Sequence, residues 1–426
     1  MTHPGGAFRE DLRRALSIRE RLGLLRRLSP FEQVDGVRLL MDGKWLLNFS
    51  SNDYLGLKSD PRLQAAGRLA LGESGAGTGA SRLICGSHIE FHRLERELAM
   101  FKGTEAALIF STGYAANLGT LAALAGPSDI LLMDRLAHAS LLDGARLSGA
   151  LLRRFRHNDL AHLRSLLLWA VSRHALTSQD ESDQRELETG PVARRRIFIV
   201  TESVFSMDGD TAPLEGLVAL KQEFGAILYV DEAHAIGILG PNGRGKVAEA
   251  GLQQQVDIQM GTLGKSVGAA GGYVCGCSEL IQFLINDARS FLFSTAPPPS
   301  VAASAREGLR LLQSEEGDAL RTHLWGLIRH LTYRLTLEGE PRSAIIPILL
   351  GEERTALDVS ARLKELGFLI PAIRYPTVPR GQARLRITLS AAHSVEQVDA
   401  LADALLSLFH AHQPWRHRPG KEAVIE

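Results

Sequence analysis

Asp231-Glu232-Ala233-His234 closes one apolar run, and Gly264-Lys265 follows another, with Lys265 lying 34 residues after Asp231. If both runs are strands of a doubly wound sheet, their ends open on one crevice, where a carboxylate, an imidazole and a lysine amine meet. Pyridoxal 5′-phosphate (PLP) chemistry needs such a trio. The carboxylate keeps the pyridine nitrogen protonated, the lysine carries the cofactor as a Schiff base and later shuttles a proton, and the imidazole donates to the ring oxygen. Singly, each residue has a plainer use: an aspartate at a strand end caps helices, and a lysine after glycine is a solvated loop residue. Ser111-Thr112-Gly113-Tyr114 supports the trio. It follows a strand and opens a helix, so its backbone amides suit a phosphate at the helix N-terminus.

Two other motifs point elsewhere and fail on context. GTLGKS (261–266) ends like a P-loop, but the glycine required five residues before the Gly-Lys pair is Gln259. GAGTGA (75–80) satisfies G-x-G-x-x-A, yet it follows the helical stretch Leu63–Leu71 rather than a strand. It reads as a loop whose glycines allow close backbone approach or positive φ.

The elements that must position these residues are legible in the apolar pattern. ALIFST (107–112), ILLMD (130–134), RIFIVTE (196–202) and AILYVDEA (226–233) lack polar alternation. That suits a parallel sheet covered on both faces. Helical segments such as Leu214–Phe224 complete βαβ units. Upstream, VRLLMDGKWLLNFSS reads as a hairpin turning at Asp42-Gly43. The basic, amphipathic stretch Phe8–Leu28 contains Glu10, Asp11 and Glu20, which fits a structured helix better than a transit peptide. Residues 174–194 are polar and read as an exposed insertion. Pro297-Pro298-Pro299 stops a helix, a long helical pattern then runs to about Thr336, and the boundary between a large and a small domain is expected there. AIIPILL (344–350), a helix near 353–366, ARLRITLS (383–390) and a helix to about His410 make up the C-terminal part.

The 426 residues are 45% hydrophobic, enough for one large α/β domain and a smaller one. Lys+Arg and Asp+Glu both number 48, so no net charge draws the chain to nucleic acid or acidic membranes. No apolar run reaches the roughly 20 residues of a membrane span. Cys85, Cys275 and Cys277 cannot build a disulfide framework, which fits a cytoplasmic protein. Cys275 and Cys277 would share one face of a strand, and no further ligand is suitably spaced to make a metal site.

From about Arg26 to His410 the sequence resembles the α-oxoamine synthase family of fold-type I PLP enzymes. NFSSNDYLGL, STGYAAN, DRLAHASLLDGARLS, LRRFRHND, ESVFSMDGD, VDEAHAIG, GTLGKS, FSTAPPP and PTVPRGQARLRITLSAAH carry the resemblance in order. It implies an aspartate-aminotransferase-like α/β transferase with a mostly parallel sheet in a large domain and a smaller α+β domain. The expected division is 1–49 as an N-terminal segment packing with the small domain, 50–298 as the large domain, 299–412 as the small domain and 413–426 as a tail.

The resemblance also implies roles. Lys265 matches the Schiff-base lysine, Asp231 the partner of the pyridinium nitrogen, His234 the partner of the ring oxygen and His138 the imidazole stacked on the ring. Gly113, Tyr114, Ser206 and Thr262 match cofactor-phosphate and pocket positions. Ser294 and Thr295 match a segment reaching the other subunit's cofactor, hence a homodimer. Asn52 and Arg386 match positions that meet the amino acid, Arg386 through its carboxylate, with Arg384 a rival on spacing alone. Thr377 matches a substrate-side position, and Arg26 an arginine near the acyl-thioester entrance. SSNDYLGL, DRLAHASLL, RRFRHND and FSTAPPP resemble most the branch that joins L-alanine to a pimeloyl thioester, on CoA or an acyl carrier protein, in biotin synthesis. Sister branches use glycine with acetyl or succinyl thioesters, or serine with a long acyl thioester. A binding protein that had kept the fold without catalysis would lack the lysine or the aspartate, and both are present.

Overall fold

A computed structural model describes residues 4–178 and 195–409. The chain separates into two units, Asn52–Leu324 in one, and the residues up to Ser51 together with those from Trp325 onward in the other. The second unit starts with the helix Pro4–Arg21, then β1 (Gln33–Asp35), β2 (Arg38–Met41) and β3 (Lys44–Asn48). β2 and β3 form the expected hairpin, with Met41 opposite Lys44. Asp42 and Gly43 take φ of 51° and 71°. A two-residue turn that follows the strand twist needs positive φ at both positions, which Asp-Gly adopts with little strain.

The continuous unit is built on β4 (Ala106–Phe110), β5 (Ile130–Asp134), β6 (Leu151–Phe155), β7 (Ile197–Glu202), β8 (Ile227–Asp231), β9 (Ile258–Thr262) and β10 (Gly272–Gly276). Their order in the sheet is β4-β10-β9-β8-β7-β5-β6. β5 to β9 pair in parallel, and β10 runs against both β9 and β4. The carboxyl ends of every strand except β10 therefore open on one edge. The unbroken apolar runs have a simple cause. Ile130, Leu132, Ile197, Ile199, Leu228 and Val230 point into one core, while Leu131, Met133, Phe198, Val200 and Tyr229 point into the core on the opposite face. Each such side chain contributes about 1.5–3 kcal/mol when fully buried.

Two expectations need correction. The Pro297–Pro299 run does not end the larger unit, because Pro299 sits in the first turn of the helix Pro299–Leu312, where its missing N–H costs no hydrogen bond. That helix stays with the continuous unit: Ser304 donates to the carbonyl of Leu63 at 2.9 Å, and Arg306 pairs with Glu90 and Glu97. The next helix, Glu315–Arg334, spans the division at Leu324. Cys275 and Cys277 also do not share a strand face: Cys275 is buried in β10, whereas Cys277 is exposed at the cap of the helix Ser278–Asp287. Burial pushes the Cys275 thiol up to about 12. Beyond Ser178, where the helix Leu160–Ser178 ends, the expected insertion lies outside the described residues, as does the expected tail at 413–426.

The remaining strands complete the unit formed from both chain ends. β12 (Phe368–Leu369) joins β3 in parallel, and β11 (Ile345–Gly351), β14 (Ala383–Thr388) and β13 (Ala372–Ile373) form a second sheet in that order. The helix Val395–Leu408 opens with a reciprocal cap between Ser394 and Gln397. Among the described residues no helix is long and apolar enough to cross a membrane.

Candidate active site

The carboxyl edge of the large sheet gathers the predicted residues of its unit apart from Ser294 and Thr295. Asp231 is the last residue of β8 and is 5% exposed. Its Oδ2 accepts from Asn117 Nδ2 at 2.8 Å, and its Oδ1 from the Ala233 amide at 2.9 Å. Asn117 is fixed in turn, because its Oδ1 accepts from the Tyr229 hydroxyl at 2.7 Å. The Asp231 carboxylate is thus oriented from two sides and keeps lone pairs for a further donor.

Lys265 stands three residues past the end of β9, with its Nζ 2.7 Å from His234 Nε2. His234 Nδ1 is 2.7 Å from the Tyr54 hydroxyl, which reaches Asn52 Oδ1 at 3.2 Å. A lysine ammonium only donates, so Nε2 accepts, and the ring's own proton sits on Nδ1 facing Tyr54. The relay Lys265–His234–Tyr54–Asn52 is therefore polarised in one direction.

His138 caps the helix Ala139–Ser148, and its Nδ1 takes both the Ser140 amide at 3.2 Å and the Ser140 hydroxyl at 2.7 Å. Ser140 Oγ itself accepts from Asn117 Nδ2 at 2.9 Å, which ties the histidine to the Asp231 network. With Nδ1 occupied as an acceptor, the neutral ring carries its proton on Nε2. Crowding by the protein draws this imidazole below its ordinary range, against the opposing pull of Asp231 and together with the charge on Lys265.

A helix N-terminus of the kind that suits a phosphate opens just after β4. In the helix Gly113–Leu124, Thr112 takes the amides of Ala115 and Ala116 through its hydroxyl and carbonyl. The amides of Gly113 and Tyr114 have no partner among the described residues, as first-turn amides require an outside acceptor. A Cβ at Gly113 would come within 3.1 Å of Met260 Cε and 3.5 Å of Thr262 Cβ, so glycine lets the helix seat against β9. Thr262 donates to the Gly271 carbonyl at 2.9 Å, and Ser206 is buried in the loop after β7. Tyr114 is exposed and donates its hydroxyl to Asp143. Thr295 bridges to Ser81, beside Ser294 and the exposed Phe293. A fixed carboxylate, a lysine amine, a neutral imidazole and free helix-terminal amides make a donor and acceptor set that fits PLP.

The substrate-side predictions Arg26, Thr377 and Arg386 belong to the other unit. Arg26 Nη2 donates to Thr377 Oγ1 at 3.2 Å. Nearby Arg374 donates to the Gly23 carbonyl and is held below the ordinary guanidinium range by burial and by Arg26. Arg386 lies on β14 opposite Pro347 and is 7% exposed, with Arg384 buried two residues before it.

Glu202 was not anticipated. It ends β7 directly opposite Asp231 in register and is 2% exposed. Burial, then the Asp231 charge, hold its carboxyl well above the usual range, and its Oε1 lacks a partner among the described residues. The signal was available: RIFIVTE ends on an acid at a strand terminus, as AILYVD does.

Comparison with known proteins shows the family. Residues 44–405 match the aminotransferase class I and II family. The sequence is 45% identical over 406 residues to 8-amino-7-oxononanoate synthase of Alkalilimnicola ehrlichii, covering 94% of this chain and 98% of that one. The fold superposes on serine palmitoyltransferase of S. paucimobilis, solved with PLP and myriocin bound, at a TM-score of 0.83 and 31% identity, over 94% of this chain and 97% of the other. It also superposes on 8-amino-7-oxononanoate synthase of Francisella tularensis at a TM-score of 0.68 and 28% identity, over 86% and 98%.

Proposed function

Because the chain belongs to the α-oxoamine synthases, PLP enzymes within the class I and II aminotransferase family, we propose that it condenses L-alanine with a pimeloyl thioester in biotin biosynthesis. The products are 8-amino-7-oxononanoate, CO₂ and the free thiol of CoA or an acyl carrier protein. The polarised Lys265–His234 contact beside the fixed carboxylate of Asp231 carries the reading, and identity to relatives of that name supports the choice of substrates.

Bound PLP supplies an electron-poor ring that takes up the electron pair left when a bond to the α-carbon of the amino acid breaks. Asp231 is assigned to the ring nitrogen, which it keeps protonated, and His138 to the ring face. His234 is assigned to the ring oxygen, Lys265 to the cofactor aldehyde, and the Gly113 and Tyr114 amides with Ser206 and Thr262 to the phosphate and pocket. Lys265 Nζ, having passed a proton to His234 Nε2, can take the α-proton of alanine as general base. Arg386 is assigned to the alanine carboxylate, since a planar fork of donors binds both oxygens. It orients the substrate so that one bond is activated. Asn52 and Thr377 complete the substrate side, and Arg26 the acyl entrance. We assign the working form to a cytoplasmic homodimer in which Ser294 and Thr295 reach the partner's cofactor. Ile84, 78% exposed, and Phe293, 71% exposed, support an apolar surface that a second copy would cover.

Likeness to a serine palmitoyltransferase fold at a TM-score of 0.83 favours a second reading, serine with a long acyl thioester. The two are separated by offering alanine, glycine and serine, each with pimeloyl, acetyl, succinyl and palmitoyl thioesters. Alanine with the pimeloyl thioester should give the highest kcat/KM. A higher value for serine with palmitoyl, or for glycine with a short chain, overturns the substrate assignment and leaves the family intact.

Asp231→Asn should slow turnover by roughly tenfold or more, because the ionic hydrogen bond lost is worth about 1.5–3 kcal/mol. The amide adds a second penalty. One of its two ends is an NH₂ group, which must then face the Asn117 or the Ala233 donor. Turnover within twofold of the parent would contradict the assignment.

A further inference from the structure

His157, in the HND segment that follows β6, lies outside the relay around Lys265. Its Nδ1 is 3.0 Å from Asp134 Oδ1, and its Nε2 is 2.8 Å from Asp210 Oδ2. Asp134 ends β5, is 1% exposed, and also accepts the amides of Leu136 at 2.8 Å and Asn158 at 2.9 Å. Asp210 sits in the loop after β7. That loop is drawn tight by Phe205 N–H to the Asp210 carbonyl at 3.0 Å, Gly209 N–H to the Phe205 carbonyl at 2.9 Å and Ala212 N–H to the Ser203 carbonyl at 3.1 Å. Asn158, at φ 55°, sends its Nδ2 to the Thr211 carbonyl at 3.2 Å and to Asp210 Oδ2 at 3.3 Å, and the same Nδ2 lies 3.2 Å from His157 Nε2. The edge of the His157 ring meets the Phe205 ring at 4.3 Å and 90°. Ser206 is the next residue.

We propose that His157 is a positioning residue for the cofactor site: clamped between Asp134 and Asp210, it holds the loop that carries Ser206 against the end of β5. The inference rests on the reading above that Ser206 lies at the PLP site. Its physical basis is the count of protons. A neutral imidazole has one N–H, yet both ring nitrogens face a carboxylate, so only the imidazolium donates to Asp134 and Asp210 at once. A neutral ring turns a lone pair towards one of them and releases that side of the loop. Asp134 from β5 and Asp210 from the loop are the charged groups that bear on the ring, and Asn158 and Phe205 are its uncharged neighbours. Burial favours the neutral ring, but the hydrogen bonds and charges of the two aspartates outweigh it and push His157 up to about 9. The folded value lies above the ordinary one of about 6.5. The clamp's contribution is therefore complete below pH 6.5 and is lost as pH rises through 9.

The experiment is a PLP titration of apo-protein, with Kd read from protein fluorescence between pH 7 and 10. Wild type, His157→Gln and Asp210→Asn are compared at each pH, so that the titration of Lys265 cancels. His157→Gln should raise Kd about tenfold at pH 7.5, and the ratio to wild type should shrink above pH 9, where wild type loses the same charge. Asp210→Asn keeps the ring and an acceptor but removes one charge. The pH at which Kd rises should then fall by roughly one unit or more. Asp210→Asn decides the matter if His157→Gln does not fold. A His157→Gln ratio constant from pH 7 to 10, or an unmoved transition in Asp210→Asn, overturns the clamp alone. Wild-type protein that takes up no PLP at any pH overturns the cofactor reading and this proposal with it.

Discussion

Lys265→Ala should lower turnover by at least roughly 10³-fold, within the range a positioned general base supplies. The substitution removes the amine that lies 2.7 Å from His234 Nε2 and leaves that nitrogen without its donor. The fold should survive, because Lys265 is only partly buried and its loss opens no core cavity. Borohydride reduction of the wild-type holoprotein, followed by peptide mapping, should place a phosphopyridoxyl group on Lys265, and the variant should carry none. Small primary amines added to the variant should restore part of the activity by supplying the missing base. A label on another lysine, or a variant within tenfold of wild type, would sink the assignment.

Lys102→Met should cost about 3–5 kcal/mol of stability, as expected when one partner of a buried ion pair is removed. Lys102 at 1% exposure and Glu232 at 0% pair with each other, and Lys102 Nζ also donates to the Arg244 carbonyl. The other carboxylate oxygen of Glu232 accepts the Val247 amide at 2.9 Å. Without Lys102 a charged carboxylate remains in a dry site one residue from Asp231. The melting temperature should fall by roughly 3–9 °C. The double variant Lys102→Met/Glu232→Leu should recover much of the loss, because it removes both charges. Thermal unfolding of the three variants checks this, and a single variant within about 1 kcal/mol of wild type would show that water reaches the pair.

Asp231 and Lys265 were legible in the sequence because a parallel sheet brings the ends of adjacent strands together, and β8 lies beside β9. The turn at Asp42-Gly43 was legible because backbone sterics decide it locally. Lys102 was not: at the end of the helix Ile89–Lys102 it looks like any solvated lysine near a helix C-terminus, and its partner is 130 residues away. His157 was hidden for the same reason, since periodicity reports neighbours along an element and nothing about contacts across the sheet edge. β6 escaped notice because Arg153 and Arg154 interrupt its apolar pattern at the sheet's margin, where the strand faces solvent. The proline run misled because proline ends one helix and begins another with equal ease, and only the packing of Pro299–Leu312 distinguishes the two.

The division of the chain has a consequence for its birth on the ribosome. Asn52–Leu324 emerge as one uninterrupted run and hold every strand of the large sheet. The residues made before Asn52 do not share that advantage. β3 can close its hairpin with β2 at once, but its other edge pairs with β12, Leu47 opposite Phe368. At about 5–20 residues per second, that edge waits on the order of 15–60 s for its partner to be synthesised. This earlier segment is therefore among the last to be completed, with an unpaired strand edge open to nascent-chain chaperones throughout the interval.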